Sequence, residues 1–300
     1  MACPTPTKSL ISRGPRGEPL TMSRELAGLD VLELASPPPR PKVARVWSAI
    51  WPAVGGALIA LAAWQLVVLS GWRPDYLLPG PGVVCGRLAE DARQPGFYAA
   101  LGVTLQRALA GYSLAVAGGA FLGAVVARNR PLRRACGSLI TGVQSMPSIA
   151  WFPLAILLFG LSDTAIVFVV LLGAAPAVAN GLITGIDNIQ PLLLRCGRVM
   201  GARSIWLYRH VVLPASLPAF LGGLKQGWAF AWRSLMAGEL LVTLANRPSL
   251  GARLQFAREF SDAAGLLATM LVILIIGMLV DGLFGLAERK VRSRWGLAGE

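Results

Sequence analysis

The sequence predicts an all-α protein, a polytopic membrane helix bundle with six transmembrane helices. Three observations predict it. Mean hydropathy is +0.60, and 55% of the 300 residues are hydrophobic. Only 14% are charged, against about 25% in an average soluble domain. Several apolar runs approach or exceed the roughly 20 residues that cross a bilayer.

The elements follow in order. Residues 1–47 form a polar lead-in with "SPPPRPK" at 36 to 42. They lack the apolar core that a signal peptide needs, and are expected to be a disordered cytoplasmic tail. Met22 is a second candidate start. Residues 48–295 are expected to hold the membrane domain, and 296–300 a short tail. The first span is placed at 49–70, "AIWPAVGGALIALAAWQLVVLS". The second, 101–127, is rich in small residues, which suit close helix contact. A third span at 137–160 contains Pro147 and Pro153, and a fourth at 163–183 contains Pro176. Proline is tolerated in membrane helices because neighbouring groups re-satisfy the freed backbone. The fifth and sixth spans are placed at 217–244 and 265–287.

Basic residues set the expected orientation. With the N-terminus in the cytoplasm, 19 Lys and Arg lie on that side and 7 on the other. Cytoplasmic loops carry such an excess, so both termini are expected on the cytoplasmic side of a bacterial inner membrane. The net charge of +13 is thereby assigned to loops rather than to nucleic-acid binding.

The connection 184–216 is then cytoplasmic, and it is long for a helix bundle. "NIQPLLLRCGRVMG" predicts a short helix with Pro191 in its first turn and Gly201 at its stop. "ARSIWLYRHVVLP" predicts a second short helix, stopped by Pro214. Its apolar residues are interleaved with Arg203, Arg209 and His210. Such a surface suits its own bundle, anionic lipid or a partner.

Gly201, nine residues and then "VVLP" at 211–214 resemble the cytoplasmic loop signature of permeases from ATP-driven (ABC) importers. In that signature E-A-A precedes the glycine; here "RCG" at 195–197 stands in its place. The resemblance runs from about Leu77 to Trp295. It is carried by "LLPGP" at 77, "TLQRALAGYSLA" at 104, "SMPSIAWFPLAILLFG" at 145, "LPASLPAFLGGLKQGWAFAWRSLMAGELL" at 213 and "LAERKVRSRW" at 286. These stretches look like the nitrate, sulfonate and taurine branch, and most like aliphatic sulfonate permeases. The resemblance implies a type I importer permease fold, similar to that of the methionine permease MetI. It also implies a cytoplasmic ATP-binding subunit dimer, a second permease copy, an external substrate-binding protein and a lipid surround. Its loop would dock on the ATPase through Arg195, Gly201, Ala202, Arg203, Trp206, Arg209, His210, Leu213 and Pro214. Aromatic and arginine side chains are favoured interface anchors. Arg195 where the family has Glu removes whatever that acid does.

No motor is expected on this chain. A phosphate-binding loop needs G-x-x-x-x-G-K-[ST], and none of Lys8, Lys42, Lys225 and Lys290 stands in one. ATP and Mg are therefore expected on the partner, with no cofactor or metal here. Cys3, Cys85, Cys136 and Cys196 form no C-x-x-C pair, and a single histidine cannot complete a zinc site with them. No nucleophile–base pair is evident, so an enzyme is not expected.

Span five carries the candidate transport path. Gln226 and Arg233 are seven apart and share one helix face. Arg233 there suits an oxyanion: sulfonate first, then nitrate or taurine. The alternative is a structural ion pair between Arg233 and Glu239 or Asp281. Lys225 and Glu239 match positions that the family commonly fills with a base and an acid, and are read as architectural. Alternatives to an oxyanion permease are a permease for another small solute, such as a pyrimidine vitamin precursor, or a secondary transporter.

Overall fold

The computed structural model describes residues 42–242 and 247–294. Every regular element among them is helical. The chain divides into two compact units at Ala62 and Ala63. The expected tail falls outside the described residues up to 41; from Lys42 the chain is already helix. Helix α1 is Lys42–Leu69, with Pro52 inside it.

The second unit holds the rest. Helix α2 (Pro81–Asp91) and helix α3 (Pro95–Arg128) both start on proline, which needs no N–H bond at a helix start. Helix α4 (Arg130–Ser145) leads to a 3₁₀ turn at Ser148–Trp151 and to helix α5 (Phe152–Phe159). Helix α6 is Asp163–Asp187, capped by Ser162, whose hydroxyl accepts from Ala165 N–H. Helix α7 is Pro191–Val199, and α8 is the single turn Ser204–Leu207. A π turn, Tyr208–Val212, runs on into helix α9, Leu213–Leu241. Helices α10 (Leu250–Glu259) and α11 (Ala263–Arg294) complete the described chain.

Two expectations change, and a third is not confirmed. The third span is not one straight helix. Two helical pieces, Pro131–Ser145 and Ser148–Phe159, meet at 98°. Met146, just before Pro147, is extended (φ −69°, ψ 134°), as steric clash with the proline ring demands. Pro214 does not stop a helix, because the chain stays helical from Ser204 to Leu241. The π turn absorbs the proline: Leu213 N–H donates to Tyr208 C=O, a wider i→i+5 step, and Pro214 falls in the first turn of α9. The six-span count is not met by length and apolarity alone. Among the described residues three helices qualify (α3, α6 and α11), and a fourth if the bent pair is one span. In α1 the piece Val54–Leu69 counts as a shorter apolar helix among the described residues. Helix α9 is 29 residues long, but Lys225, Gln226, Arg233 and Glu239 lower its hydropathy.

Helix α6 is the axis of the second unit, packed between α3 and α9. In lipid, apolar burial does not drive helices together; close backbone approach does. The sequence provides for it. A Cβ on Gly181 would lie 2.4 Å from Gly223 Cα, so α6 and α9 touch backbone to backbone. On the other side a Cβ on Gly119 would lie 2.5 Å from Ala175 C=O. Around these crossings Phe152, Ile166, Val169, Val170, Trp228 and Leu235 make the buried core. The small-residue pattern of the second span thus does what it predicts.

Candidate functional site

Three places on the second unit carry polar or exposed chemistry. The first is the connection between α6 and α9. Helix α7 ends in a turn: Met200 N–H donates to Cys196 C=O, Gly201 N–H to Arg198 C=O and Ala202 N–H to Gly197 C=O. Gly201 has φ +86°, a region that favours glycine. The chain then reverses into α8 and packs on α7. Gly197 makes this close: a Cβ there would lie 3.0 Å from Leu207 Cδ1 and 3.1 Å from Val211 Cγ2. That glycine stands where the loop signature has alanine, and the tight α7–α8 contact accounts for it.

The outer surface of this knob is apolar and basic together. Val199, Met200 and Ile205 are 88%, 82% and 77% exposed, and Trp206 and Leu213 are also exposed. Arg195, Arg203, Arg209 and His210 are exposed around them. The His210 ring stacks on Trp206, centroids 4.3 Å apart, with Nδ1 3.1 Å from Trp206 C=O. Of the residues expected to dock, Ala202 is buried and Pro214 half-buried; both shape the knob from within. Gly201 is exposed, and a Cβ there would meet nothing within 4 Å.

The second place is a buried charge cluster at the opposite end of the bundle, which the sequence reading did not find. Glu239 is fully buried. Its carboxylate accepts from Arg107 Nη1 (3.0 Å), from the Thr104 hydroxyl (3.0 and 3.1 Å) and from Gly251 N–H (3.0 Å). Arg107, only 6% exposed, also lies 2.7 Å from Asp163 Oδ1. Asp163 in turn pairs with the exposed Arg247 at 3.2 Å. The Thr104 oxygen accepts from Leu250 N–H, and Ser249 caps Ala252 N–H. So the free N–H groups that start α10 are met by Thr104, Glu239 and Ser249, and the carboxylate complements the positive end of the helix. Nearby, Asp91 is held by Arg253 at 2.9 Å, and Arg87 joins Asp262 at 3.0 Å. One signal was available: an arginine and a glutamate inside apolar spans each need a partner.

The third place is the face of α9 expected to line the path. Gln226 and Arg233 are both exposed. Arg233 makes no ion pair among the described residues; its guanidinium lies over the Phe230 ring at 5.5 Å. The two acids offered as its partners are taken: Glu239 by Arg107, and Asp281 by Lys225 at 3.2 Å. Arg233 lines a cavity between α9 and α11, and Gln226 is not among the residues lining it. The geometry therefore leaves a cation without an ion-pair partner among the described residues, exposed on a helix of an apolar bundle. An unpaired charge facing lipid there is costly.

Comparison with known proteins agrees with this architecture. Residues 115–293 match the family described as "Binding-protein-dependent transport system inner membrane component". The riboflavin transport system permease protein RibX of Chloroflexus aurantiacus is 31% identical over 259 residues, 85% of this chain and 95% of that one. The taurine transport system permease protein TauC of Escherichia coli is 28% identical, over 79% of this chain and 87% of its own. The putative aliphatic sulfonates transport permease protein SsuC of the same organism is 29% identical, over 78% and 88%. Among solved structures, the chain superposes on the MetNI methionine ABC transporter with a TM-score of 0.54, at 20% identity, covering 63% of this chain and 92% of that one. An amino acid ABC transporter crystallised with histidines gives 0.53 at 18% identity, covering 69% and 97%.

Proposed function

Since the chain belongs to the family of binding-protein-dependent transport system inner membrane components, and is the permease subunit of an ATP-driven importer, we propose that it carries a small oxyanion inward. A sulfonate is favoured, with nitrate or taurine next. The observation that carries the proposal is Arg233, an exposed cation in α9 without an acid partner among the described residues. A permeation site should attract its ion without trapping it, and one unpaired guanidinium does that. The resemblance to taurine and sulfonate permeases supports the same class.

The connection 184–216, with its knob, is the docking element for the ATPase in this reading. Its exposed apolar residues need a cover, and its arginines suit an acidic rim. Both termini and the knob then lie in the cytoplasm, as the basic count favours. A second copy of the chain completes the path, and an external binding protein delivers the solute. A second reading, an uncharged ring-containing vitamin or precursor, is supported by the resemblance to the riboflavin permease.

The test is uptake of labelled taurine, an alkanesulfonate, nitrate and riboflavin by cells carrying the whole importer. Sulfonate uptake that falls in R233Q and recovers in R233K, at equal permease yield, is the expected result. Uptake of riboflavin alone by the wild type would overturn the oxyanion reading.

A further inference from the structure

A trough of about 440 Å³ lies between the end of α3, α6 and the π turn. On the α3 side Phe121, Val125 and Arg128 line it; spaced i, i+4 and i+7, they share one helix face. Phe121 is 74% exposed, and Val125 is exposed as well. On the facing side the π turn contributes Tyr208 and Val212, and Leu213 follows them. Leu213 N–H donates to Tyr208 C=O, and such i→i+5 steps frequently mark functional sites. Arg128 is the one charged group among the described residues that line the trough. It stands in the last turn of α3, where the sequence turns polar with Asn129 and Arg130. From Phe121 the trough is apolar along about 10 Å of helix and then ends on this cation.

No carboxylate balances it. Arg128 is exposed and makes no ion pair among the described residues, and Asp187 at the end of α6 is taken by Arg133. Between Asp91 and Asp163, and again between Asp187 and Glu239, the sequence holds no acid at all. From this we infer that the trough holds an anionic phospholipid of the cytoplasmic leaflet, with one acyl chain between α3 and the π turn and the phosphate on Arg128. The bound lipid braces the turn that joins the knob to α9. The inference rests on the cytoplasmic placement of the knob given under the proposed function. Basic pockets between spans on that side suit anionic headgroups, and a guanidinium can meet a phosphate with two parallel N–H bonds. Other covers fit less well. An ATPase in the aqueous phase does not reach Phe121, about 10 Å along the helix from the polar end. A second copy brings apolar surface, but Asp187 and Glu288 at its cytoplasmic end are already paired. An amphiphile with one negative head satisfies both parts of the trough.

The experiment uses the permease assembled with its ATPase, in nanodiscs of phosphatidylcholine with or without phosphatidylglycerol. Native mass spectrometry counts the phospholipids that each complex retains. The wild type is expected to retain phosphatidylglycerol over phosphatidylcholine by about fivefold, the factor that about 1 kcal/mol per basic residue gives. In R128Q that preference should disappear, and R128K should keep most of it. Val125→Trp fills the trough and should lower retention of both lipids; it carries the test if R128Q does not assemble. A benzophenone side chain placed at position 121 should, on illumination, add the mass of a phospholipid. ATP hydrolysis by the complex should rise with phosphatidylglycerol in the wild type and not in R128Q. Equal retention of the two lipids by the wild type overturns the inference. So does an undiminished preference in R128Q, wild-type retention in Val125→Trp, or displacement of the lipid by inorganic phosphate. A crosslink from position 121 to the second permease copy or to the ATPase overturns it too, and hydrolysis indifferent to phosphatidylglycerol overturns the bracing. If Cys196 is protected in intact cells and the preference is absent, the lipid site has failed and the cytoplasmic knob stands. If Cys196 labels from outside, the placement itself has failed.

Discussion

Glu239→Ala tests whether the buried cluster holds the bundle together. The change removes one carboxylate and leaves three donors facing nothing: Arg107 Nη1, the Thr104 hydroxyl and Gly251 N–H. Breaking a buried pair by deleting one member costs roughly 3–5 kcal/mol. Asp163 stays 2.7 Å from Arg107, so the arginine keeps a counter-charge, and the lower end, about 3 kcal/mol, applies. At about 2–4 °C per kcal/mol for a chain of this size class, the unfolding midpoint should fall by about 6–12 °C. Glu239→Gln keeps one carbonyl acceptor for Arg107 or Gly251 and should cost about half as much. The assay is thermal unfolding of the purified permease in detergent, read by loss of the monodisperse size-exclusion peak. The start of α10 should loosen first, because Leu250 and Gly251 lose their acceptors' support; hydrogen exchange over 249–253 reports it. A midpoint within 1–2 °C of wild type for Glu239→Ala, an effect of well under about 1 kcal/mol, would refute the cluster as a structural node.

Two further predictions concern the knob and the orientation. Gly201→Val should weaken retention of the ATPase on size exclusion and slow uptake, at normal membrane insertion. No atom lies within 4 Å of a Cβ there, so the effect is strain at φ +86° alone, about 1–3 kcal/mol. Gly201→Asn, which tolerates that region, should restore both, and a Gly201→Val that keeps its ATPase would sink the idea. For the orientation, native Cys85 on α2 and Cys196 on α7 are both free and exposed. An impermeant maleimide added to intact cells should label Cys85 and spare Cys196 until the membrane is opened; labelling of Cys196 from outside would invert the proposed topology.

What was legible in the sequence is what depends on neighbours along the chain. Pro191 at the start of α7, Gly201 at its stop and the small residues of α3 each act within a turn or at one crossing, and each was readable. Pro147 and Pro214 show the limit of that reading. Each could bend, break or continue a helix, and the local residues do not choose. At Pro147 the chain turns by 98°. At Pro214 one wider turn lets the helix pass, so the proline read as a stop begins α9.

The charges in the spans show a different limit. Arg107 and Glu239 are 132 residues apart, and nothing local links them. Yet one error could have been avoided. Arg233 and Glu239 are six apart on one helix, and at about 100° per residue they point some 120° away from each other. They could never have shared a buried pair. Helix geometry puts the two on different faces; the structure turns Glu239 toward α3 and Arg233 toward α11, and supplies a partner for the first and none among the described residues for the second. The consequence bears on function. With Glu239 balanced by Arg107 and Asp281 by Lys225, the positive charge of Arg233 is not consumed by the fold. A guanidinium without an ion-pair partner among the described residues is the feature of this bundle that the proposed anionic solute would explain and helix packing does not.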